Sequence, residues 1–278
     1  MSVIIISAGP YSGGQEIAEG LALRLGYRLV GREVVAQAAQ EYGQSEAKLV
    51  KALDEAPSLF GMSTKQRRVL LSQLEAAVLE RLKADGAVTW GLGAHLYLMG
   101  VSHVFKVRVL ADPGYRARLM TDREKVGQEQ AAKAIAEMDQ ERARWAQALY
   151  KADEGDPALY DLVINLGEID IERAVGMIAE TVQAKKFQPM TFSLKLMEDK
   201  ALAARVRAAL AGEHSDVAVQ ADGGNVVVRA KALKRDKQKK TIAIKDKAQA
   251  LPGVRYVEVH LINDIFGQAA QGMKQGLR

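Results

Sequence analysis

A glycine-rich segment near the start of the chain has the spacing of a phosphate-binding loop. Gly9 and Gly14 form a G-x-x-x-x-G pattern, with Ser12 and Gly13 between them. Glycines let consecutive backbone N–H groups turn toward one anion, and the N-terminus of a following helix adds a favourable dipole. The segment from Gly9 to Glu16 is therefore predicted to bind phosphate. The alternative is a glycine-rich turn that binds nothing.

Two positions of this loop lack the residues that phosphate chemistry normally uses. Gln15 stands where a lysine would reach the outer phosphates, and Glu16 stands where a hydroxyl would hold magnesium. A charge-assisted hydrogen bond contributes roughly 1.5–3 kcal/mol, so the missing lysine matters more than a missing neutral hydrogen bond. The loop therefore predicts phosphate binding and leaves turnover open.

The flanking segments supply the elements that such a loop needs. Val3 to Ile6 is apolar and β-branched, which is typical of a strand buried on both faces of a parallel sheet. Gln15 to Leu25 has helical periodicity and ends at Gly26. Further strands are predicted at 87–90, 104–110 and 160–165, and further helices at 36–53, 65–83, 129–150 and 169–185. This alternation predicts a three-layer α/β fold around a parallel sheet.

The opening of the chain resembles that of the cytidylate kinase-like family of P-loop proteins. The family pattern reads Ile-Ser-Arg-x-x-Gly-Ser-Gly-Gly-Arg-Glu-Ile-Ala, followed by a helix, Gly-Tyr and Asp-Arg-Glu. The positions that match are Ser7, Ser12, Gly13, Gly14, Glu16, Ile17, Ala18, Arg32 and Glu33. The chain departs from the pattern at Ala8, Gln15 and Gly31, which replace two arginines and an aspartate.

The resemblance covers residues 1–187 and implies an activity. Gly91, Gly93, Ala94 and His95 match a Gly-Arg-Gly-Ala-His segment of the family, with Leu92 in place of the arginine. His95 could contact phosphate or base, and the alternative is a capped or half-buried histidine at a helix start. The family resemblance implies transfer of the γ-phosphoryl group of ATP, with Mg²⁺, to a nucleoside monophosphate such as CMP or dCMP. No residues are assigned as protein ligands of a metal.

The same resemblance gives roles to arginines on two predicted helices. Pro113 begins a helix that carries Arg116 and Arg123, and Asp139 to Arg142 resembles the Asp-x-x-Arg lid motif of the family. Lid arginines place positive charge where the transition state spreads negative charge. The alternative is that these arginines form surface i,i+4 pairs with Glu or Asp within one helix, each worth roughly 0.3–0.5 kcal/mol. The candidate catalytic residues are Arg116, Arg123 and Arg142, and the candidate phosphate-binding residues are Gly9, Ser12, Gly13, Gly14, Gln15, Glu16 and Arg32.

A second, smaller α+β unit is predicted after an interruption at residues 185–189. We expect a connector or an extended strand at 190–197, a helix at 199–210, a hairpin around Gly223-Gly224, a helix at 243–251 and a strand at 256–262. The order and the Pro252-Gly253-Val254 turn resemble a BON domain over 199–264, although Ala230 stands where that family has glycine. The resemblance implies binding of a protein partner or phospholipid. Residues 265–278 are predicted to be a frayed tail.

Between the hairpin and the following helix lies a basic segment. Its members are Lys234, Arg235, Lys237, Lys239, Lys240, Lys245 and Lys247. The cluster could contact anionic lipid, RNA or an acidic partner, and the alternative is a solvated face. The segment contains no interleaved aromatic residues, which argues against binding of single-stranded nucleic acid by stacking.

Composition excludes several classes of protein. The chain has 278 residues, a net charge of +5 and no cysteine, which rules out disulfides, thiolate catalysis and cysteine-based metal sites. No apolar run approaches the ~20 residues of a spanning helix, and no export signal is evident, so a cytoplasmic protein is predicted. Three functions remain open: a phosphotransferase, a non-catalytic nucleotide sensor whose second unit reports to a partner, and a scaffold that binds no nucleotide.

Overall fold

The computed structural model describes residues 1–58, 61–84 and 86–263, apart from the side chains of Lys234 and Asn263. A five-stranded sheet with the order β2-β3-β1-β4-β5 forms the centre of the first unit, and every neighbouring pair is parallel. Its strands are β1 Val3–Ala8, β2 Arg28–Val30, β3 Ala87–Trp90, β4 Val104–Ala111 and β5 Leu162–Leu166. The predicted parallel α/β sheet is confirmed.

Helices cover both faces of this sheet. On one face, α1 Gly14–Leu25 and α8 Ile171–Thr181 pack against Ile4 and Ile6. On the other face, Val3 and Ile5 share a core with helices that arise between β2 and β5. Those helices are α2 Glu33–Tyr42, α3 Glu46–Asp54, α4 Thr64–Leu82, α5 Ala94–Tyr97 and α7 Gln128–Tyr150. Alternate β1 residues point to opposite faces, so one apolar strand supplies both cores.

Two predicted helices of this unit have different bounds in the structure. The segment 36–53 is interrupted, because Gly43 adopts a φ of 61° and its N–H donates to the carbonyl of Ala39, which ends α2. The predicted helix 169–185 ends at Thr181, and a short 3-10 turn follows at Lys185–Phe187. Sequence periodicity alone did not place these ends.

The second unit contains a three-stranded mixed sheet with the order β6-β7-β8. Strands β6 Ala218–Asp222 and β7 Asn225–Ala232 form the predicted hairpin, and β8 Tyr256–Asn263 pairs with β7 in parallel. Helix α10 Lys237–Gln249 starts earlier than expected, so the basic segment lies on a 3-10 turn and on α10. The BON resemblance and the domain boundaries stay predictions, and the predicted tail lies outside the described residues.

Residues 190–197 were expected to form a connector or strand, and this prediction is wrong. Helix α9 runs from Thr191 to Ala211, because the Ser193 hydroxyl accepts from the N–H of Met190 and donates to its carbonyl, which caps the first turn. Met197 is then buried on the side of α9 that faces the first unit. Met197, which was predicted to lie in a connector or an extended strand, is therefore a core residue.

Helix α9 joins the two units. Met197, Ala201, Ala204 and Ala208 belong to the core that contains α4, whereas Leu202, Val206 and Leu210 belong to the core of the second sheet. Helix α4 is buried along the consecutive run 70–74, which covers its whole circumference, so it lies between the large sheet and α9. Within the described ranges, no helix is long and apolar enough to span a membrane.

Candidate functional site

The loop between β1 and α1 depends on glycine at two positions. Gly13 has a φ of 74°, and a Cβ there would lie 2.9 Å from Leu166 Cδ1. A Cβ on Gly14 would lie only 2.5 Å from the Cβ of Ala8. The chain therefore turns tightly from the end of β1 into α1. The first-turn N–H groups of α1 have no intrahelical acceptor and can donate to an anion.

We expect Gly14→Ala to destabilise the protein, because the added methyl group collides with Ala8 at the end of a buried strand. Overpacking of this kind costs about 1–3 kcal/mol. Chemical denaturation measures the loss of unfolding free energy. Gly212→Ala is the matched control, since Gly212 has a φ of −58° and a Cβ on it meets nothing within 4 Å. Equal stability of the two variants would show that the loop does not need its close approach to Ala8.

Helix α6 Pro113–Glu124 lies against this loop. Arg116 Nε donates to the carbonyl of Pro10 at 2.9 Å, and the Tyr11 hydroxyl donates to Glu124 at 3.1 Å. Arg123 forms an ion pair with Glu16. The structure thus brings two of the predicted lid arginines to the predicted phosphate loop.

Both of these arginines already face carboxylates. Arg116 binds Asp139 through two hydrogen bonds of 2.7 and 2.8 Å, and this pair connects α6 with α7. The pair Arg123–Glu16 connects α6 with α1 and raises the pKa of the arginine through the hydrogen bond to Glu16. These contacts join distant segments of the chain and are not the i,i+4 pairs within one helix that were the alternative interpretation.

The third lid candidate, Arg142, belongs to a buried polar cluster. Its Nε and Nη2 donate to the Glu154 carboxylate at 2.7 and 2.6 Å. His95 Nε2 lies 2.9 Å from Glu154 Oε1, and both residues are 5% exposed or less. His95 is therefore fully buried at the first turn of α5, and its role as a phosphate or base contact stays a prediction.

Burial and hydrogen bonding act in opposite directions in this cluster. Burial raises the pKa of Glu154, but the hydrogen bonds from His95 and Arg142 and the arginine charge outweigh it and lower the pKa to about 2. Burial lowers the pKa of His95, although Glu154 opposes the shift. The cluster therefore holds a carboxylate that stays ionised, with Arg142 as its counter-charge.

The remaining predicted phosphate-binding residues differ in their exposure and in the groups they contact. Ser12 is buried within the loop, and its N–H donates to the Gly9 carbonyl at 3.3 Å. Gln15 is exposed and donates to Glu19 at 2.9 Å. Arg32 directly precedes α2 and pairs at 2.5 Å with Asp54 at the end of α3, and no described contact joins Arg32 to the loop.

Gly31 stands where the family pattern has aspartate, and Trp90 explains the change. A Cβ on Gly31 would lie 2.4 Å from Trp90 Cη2. The indole therefore fills the space next to this backbone at the ends of β2 and β3. The sequence showed the missing carboxylate, but only the folded chain shows the tryptophan beside it.

Arg108 on β4 is a further candidate that the sequence analysis did not select. Its Nη1 donates to the Ser7 hydroxyl at 2.9 Å, and its Cζ lies 5.9 Å from the centre of the Tyr160 ring. The alternation of apolar and basic residues in β4 placed Lys106 and Arg108 on one face, which was a usable signal. The strand register adds that Arg108 lies directly opposite Ser7.

The cytidylate kinase-like family matches residues 3–168. The chain belongs to this family. A cytidylate kinase from Archaeoglobus fulgidus is 28% identical over 191 residues, which is 66% of this chain and 97% of that protein. The family resemblance expected from the sequence is thus confirmed.

Two solved structures are similar to about two-thirds of the chain. An uncharacterized protein from Eubacterium ventriosum matches with a TM-score of 0.50 at 19% identity, over 66% of this chain and all (100%) of that chain. A shikimate kinase from Acinetobacter baumannii matches with a TM-score of 0.39 at 14% identity, over 68% of this chain and 96% of that chain. The first of these matches supports the fold of the kinase-like unit.

The cytidylate kinase-like unit gathers its polar residues at one edge of the sheet. The loop follows β1, His95 follows β3, and Arg108 lies near the end of β4. Open parallel sheets bind ligands at the carboxyl ends of their strands, where the strand order reverses. The order β2-β3-β1-β4-β5 places that reversal around β1. The candidate site therefore lies between the glycine loop, α6 and the buried cluster around Glu154.

Proposed function

We propose that the protein binds ATP at Gly9–Glu16 and transfers its γ-phosphoryl group to a nucleoside monophosphate, CMP or dCMP. The observation that carries this proposal is the tight turn at Gly13 and Gly14, which directs the N-terminus of α1 to the ligand-binding edge of a cytidylate kinase-like sheet. The name of the Archaeoglobus fulgidus relative supports the choice of acceptor.

The chain's own groups would act by binding and positioning. The first-turn amides of α1 hold the phosphates of ATP, and an oxygen of the acceptor monophosphate attacks the γ-phosphorus as the bond to the β-phosphate oxygen breaks. ADP and a nucleoside diphosphate are the products. Arg116 and Arg123 would exchange Asp139 and Glu16 for phosphate oxygens and stabilise the charge that spreads in the transition state.

The proposed reaction uses magnesium that is bound to the phosphates of ATP. No cluster of three or more histidines and carboxylates in those ranges could hold a metal ion. Glu16 occupies the position of the usual hydroxyl, and Arg123 engages its carboxylate. Magnesium would therefore enter as part of the Mg·ATP substrate, and we derive no step from a metal held by the protein.

The direct test is an ADP-release assay with Mg·ATP and a panel of CMP, dCMP, UMP and AMP. We expect turnover with a cytidine nucleotide, and a loss of about 100-fold in Arg116→Ala, because one charged donor to the transferring group is removed. Arg144→Ala is the control, since Arg144 is exposed and pairs with Glu141 on the outside of α7. Absence of turnover would refute the proposed transfer, and absence of nucleotide binding as well would also refute the assignment of the loop.

The second candidate function is nucleotide binding without turnover, with the second unit as the reporter. It is favoured by the bidentate Arg142–Glu154 pair, which withholds one lid arginine from phosphate, and by the absence of a lysine at position 15. Residues 199–264 would then bind a protein partner or anionic lipid. Saturable binding of ATP in the absence of ADP release identifies this function.

We expect Gln15→Lys to bind Mg·ATP about 10–100-fold more tightly, because the new ammonium group adds a charge-assisted contact to the outer phosphates. Titration calorimetry measures the change. Gln238→Lys adds the same charge at an exposed position on α10 and should leave the affinity unchanged. An unchanged affinity in Gln15→Lys would count against the assignment of the loop.

A further inference from the structure

Arg108 differs from the four arginines that the sequence singled out. Arg32, Arg116, Arg123 and Arg142 each pair with a carboxylate, whereas no carboxylate among the described residues pairs with Arg108. Its Nη1 hydrogen bonds to Ser7, and its Nε is buried without a hydrogen-bond partner in the described ranges. The side chain as a whole is half-buried, so a ligand can reach it.

A second unsatisfied group lies in the same polar cluster. His95 is 2% exposed, and its Nδ1 has no hydrogen-bond partner among the described residues. The His95 ring stacks on Tyr160 with centroids 5.7 Å apart, and Arg108 lies against the same tyrosine. Buried polar groups are normally satisfied, so each exception requires an explanation. An anionic ligand would explain a guanidinium with no counter-charge.

The position of Arg108 relates it to the glycine loop. Ser7 directly precedes Ala8, the last residue of β1, and Gly9 begins the loop. Arg116 also lies against this segment, with its guanidinium beside Gly9 and its Nε donating to the Pro10 carbonyl. Two guanidinium groups thus lie next to the start of the loop. Only the one on β4 lacks a carboxylate partner in the described part of the chain.

We propose that Arg108 binds a phosphate group of one of the two nucleotides and, where that nucleotide is ATP, supplies the positive charge that Gln15 does not. This inference rests on the proposed function. Glu154 and Arg142 are the other charged groups of the cluster, and they neutralise each other. A guanidinium can bind two phosphate oxygens at once, which a lysine at the same position cannot do. The phosphate belongs either to ATP or to the acceptor monophosphate.

The test measures dissociation constants of Mg·ATP and of CMP separately, by titration calorimetry on the full chain. We expect Arg108→Gln to weaken one of the two nucleotides by about 10–100-fold, and the affected nucleotide identifies the phosphate that Arg108 binds. Lys106→Gln is the matched control on the same face of β4, because Lys106 already pairs with Asp161 at 3.3 Å. It should change neither affinity.

A structural role is separated from a binding role by two further variants. If ATP is the affected nucleotide, the double variant with Gln15→Lys and Arg108→Gln should bind Mg·ATP more tightly than Arg108→Gln alone. Its thermal stability should stay at that of Arg108→Gln. If Arg108→Gln does not fold, Arg108→Lys decides, because it keeps the charge but loses the two-point contact and should weaken binding about 3–10-fold.

The outcomes separate this inference from the proposed function. A wild-type chain that binds neither nucleotide refutes both. A wild-type chain that binds, with Arg108→Gln binding both nucleotides equally well, overturns the role of Arg108 and leaves the proposed function standing. Where only Arg108→Lys folds, its unchanged affinity for both nucleotides overturns the role.

Discussion

A chain that ends at Gln188 is expected to be far less stable than the full chain, although it retains all of the cytidylate kinase-like match. Met197, Ala201, Ala204 and Ala208 of α9 are buried in the same core as α4. Their removal exposes one side of the segment 70–74 of α4, which is buried around its whole circumference in the full chain. Exposure of a single large apolar side chain costs about 1.5–3 kcal/mol, so loss of the whole layer costs several times more.

Thermal unfolding of the truncated and full chains measures this effect. A point variant makes the same test in the full chain: Ala204→Glu places a charge in the α4–α9 interface and should lower the melting temperature by at least about 6 °C. Glu198→Ala on the exposed side of α9 is the control. A truncated chain as stable as the full chain would show that the second unit is an independent module. The ion pair between Arg207 of α9 and Glu75 of α4, at 2.7 Å, also belongs to the α4–α9 interface that these variants test.

The second large effect is expected for Glu154→Gln. This variant leaves the half-buried Arg142 without its counter-charge and weakens the contact with His95. Loss of one partner of a fully buried pair costs about 3–5 kcal/mol, and this is the upper bound here because the Arg142 side chain is partly exposed to water. Urea denaturation at neutral pH measures the loss, and Glu168→Gln at an exposed position is the control. A difference below about 1 kcal/mol between the two variants would contradict the buried-pair interpretation.

The same carboxylate predicts an acid dependence of stability. The pKa of Glu154 falls from 4.5 to about 2 on folding, so its ionised form is favoured in the folded chain. Its stabilisation is complete above about pH 4.5 and is lost as the pH falls toward 2; it amounts to roughly 3 kcal/mol. Glu154→Gln should therefore lose less stability than wild type between pH 4.5 and 2. Equal losses of unfolding free energy in wild type and Glu154→Gln over this pH range would contradict this prediction.

The sequence predicted that the arginines lie near the loop, but it did not predict the carboxylates with which they pair. A helix that follows β4 returns over the edge of the sheet, and in the structure this helix places Arg116 and Arg123 against the loop. Their carboxylates, Asp139 and Glu16, lie on other helices. Arg108 was overlooked because its lack of a partner is a property of the space around it, and no residue spacing reports it.

By itself, the sequence determined the parallel sheet, the glycine turn and the family, since β-branched runs, glycine spacing and helical periodicity act over a few residues. Tertiary structure alone decided that 190–197 is helical, that α9 is shared by two cores, and which charges neutralise each other. The physical reason is that burial and ion pairing depend on residues far apart in the chain. Ser7 and Arg108, or Arg142 and Glu154, meet only after the strands and helices have packed.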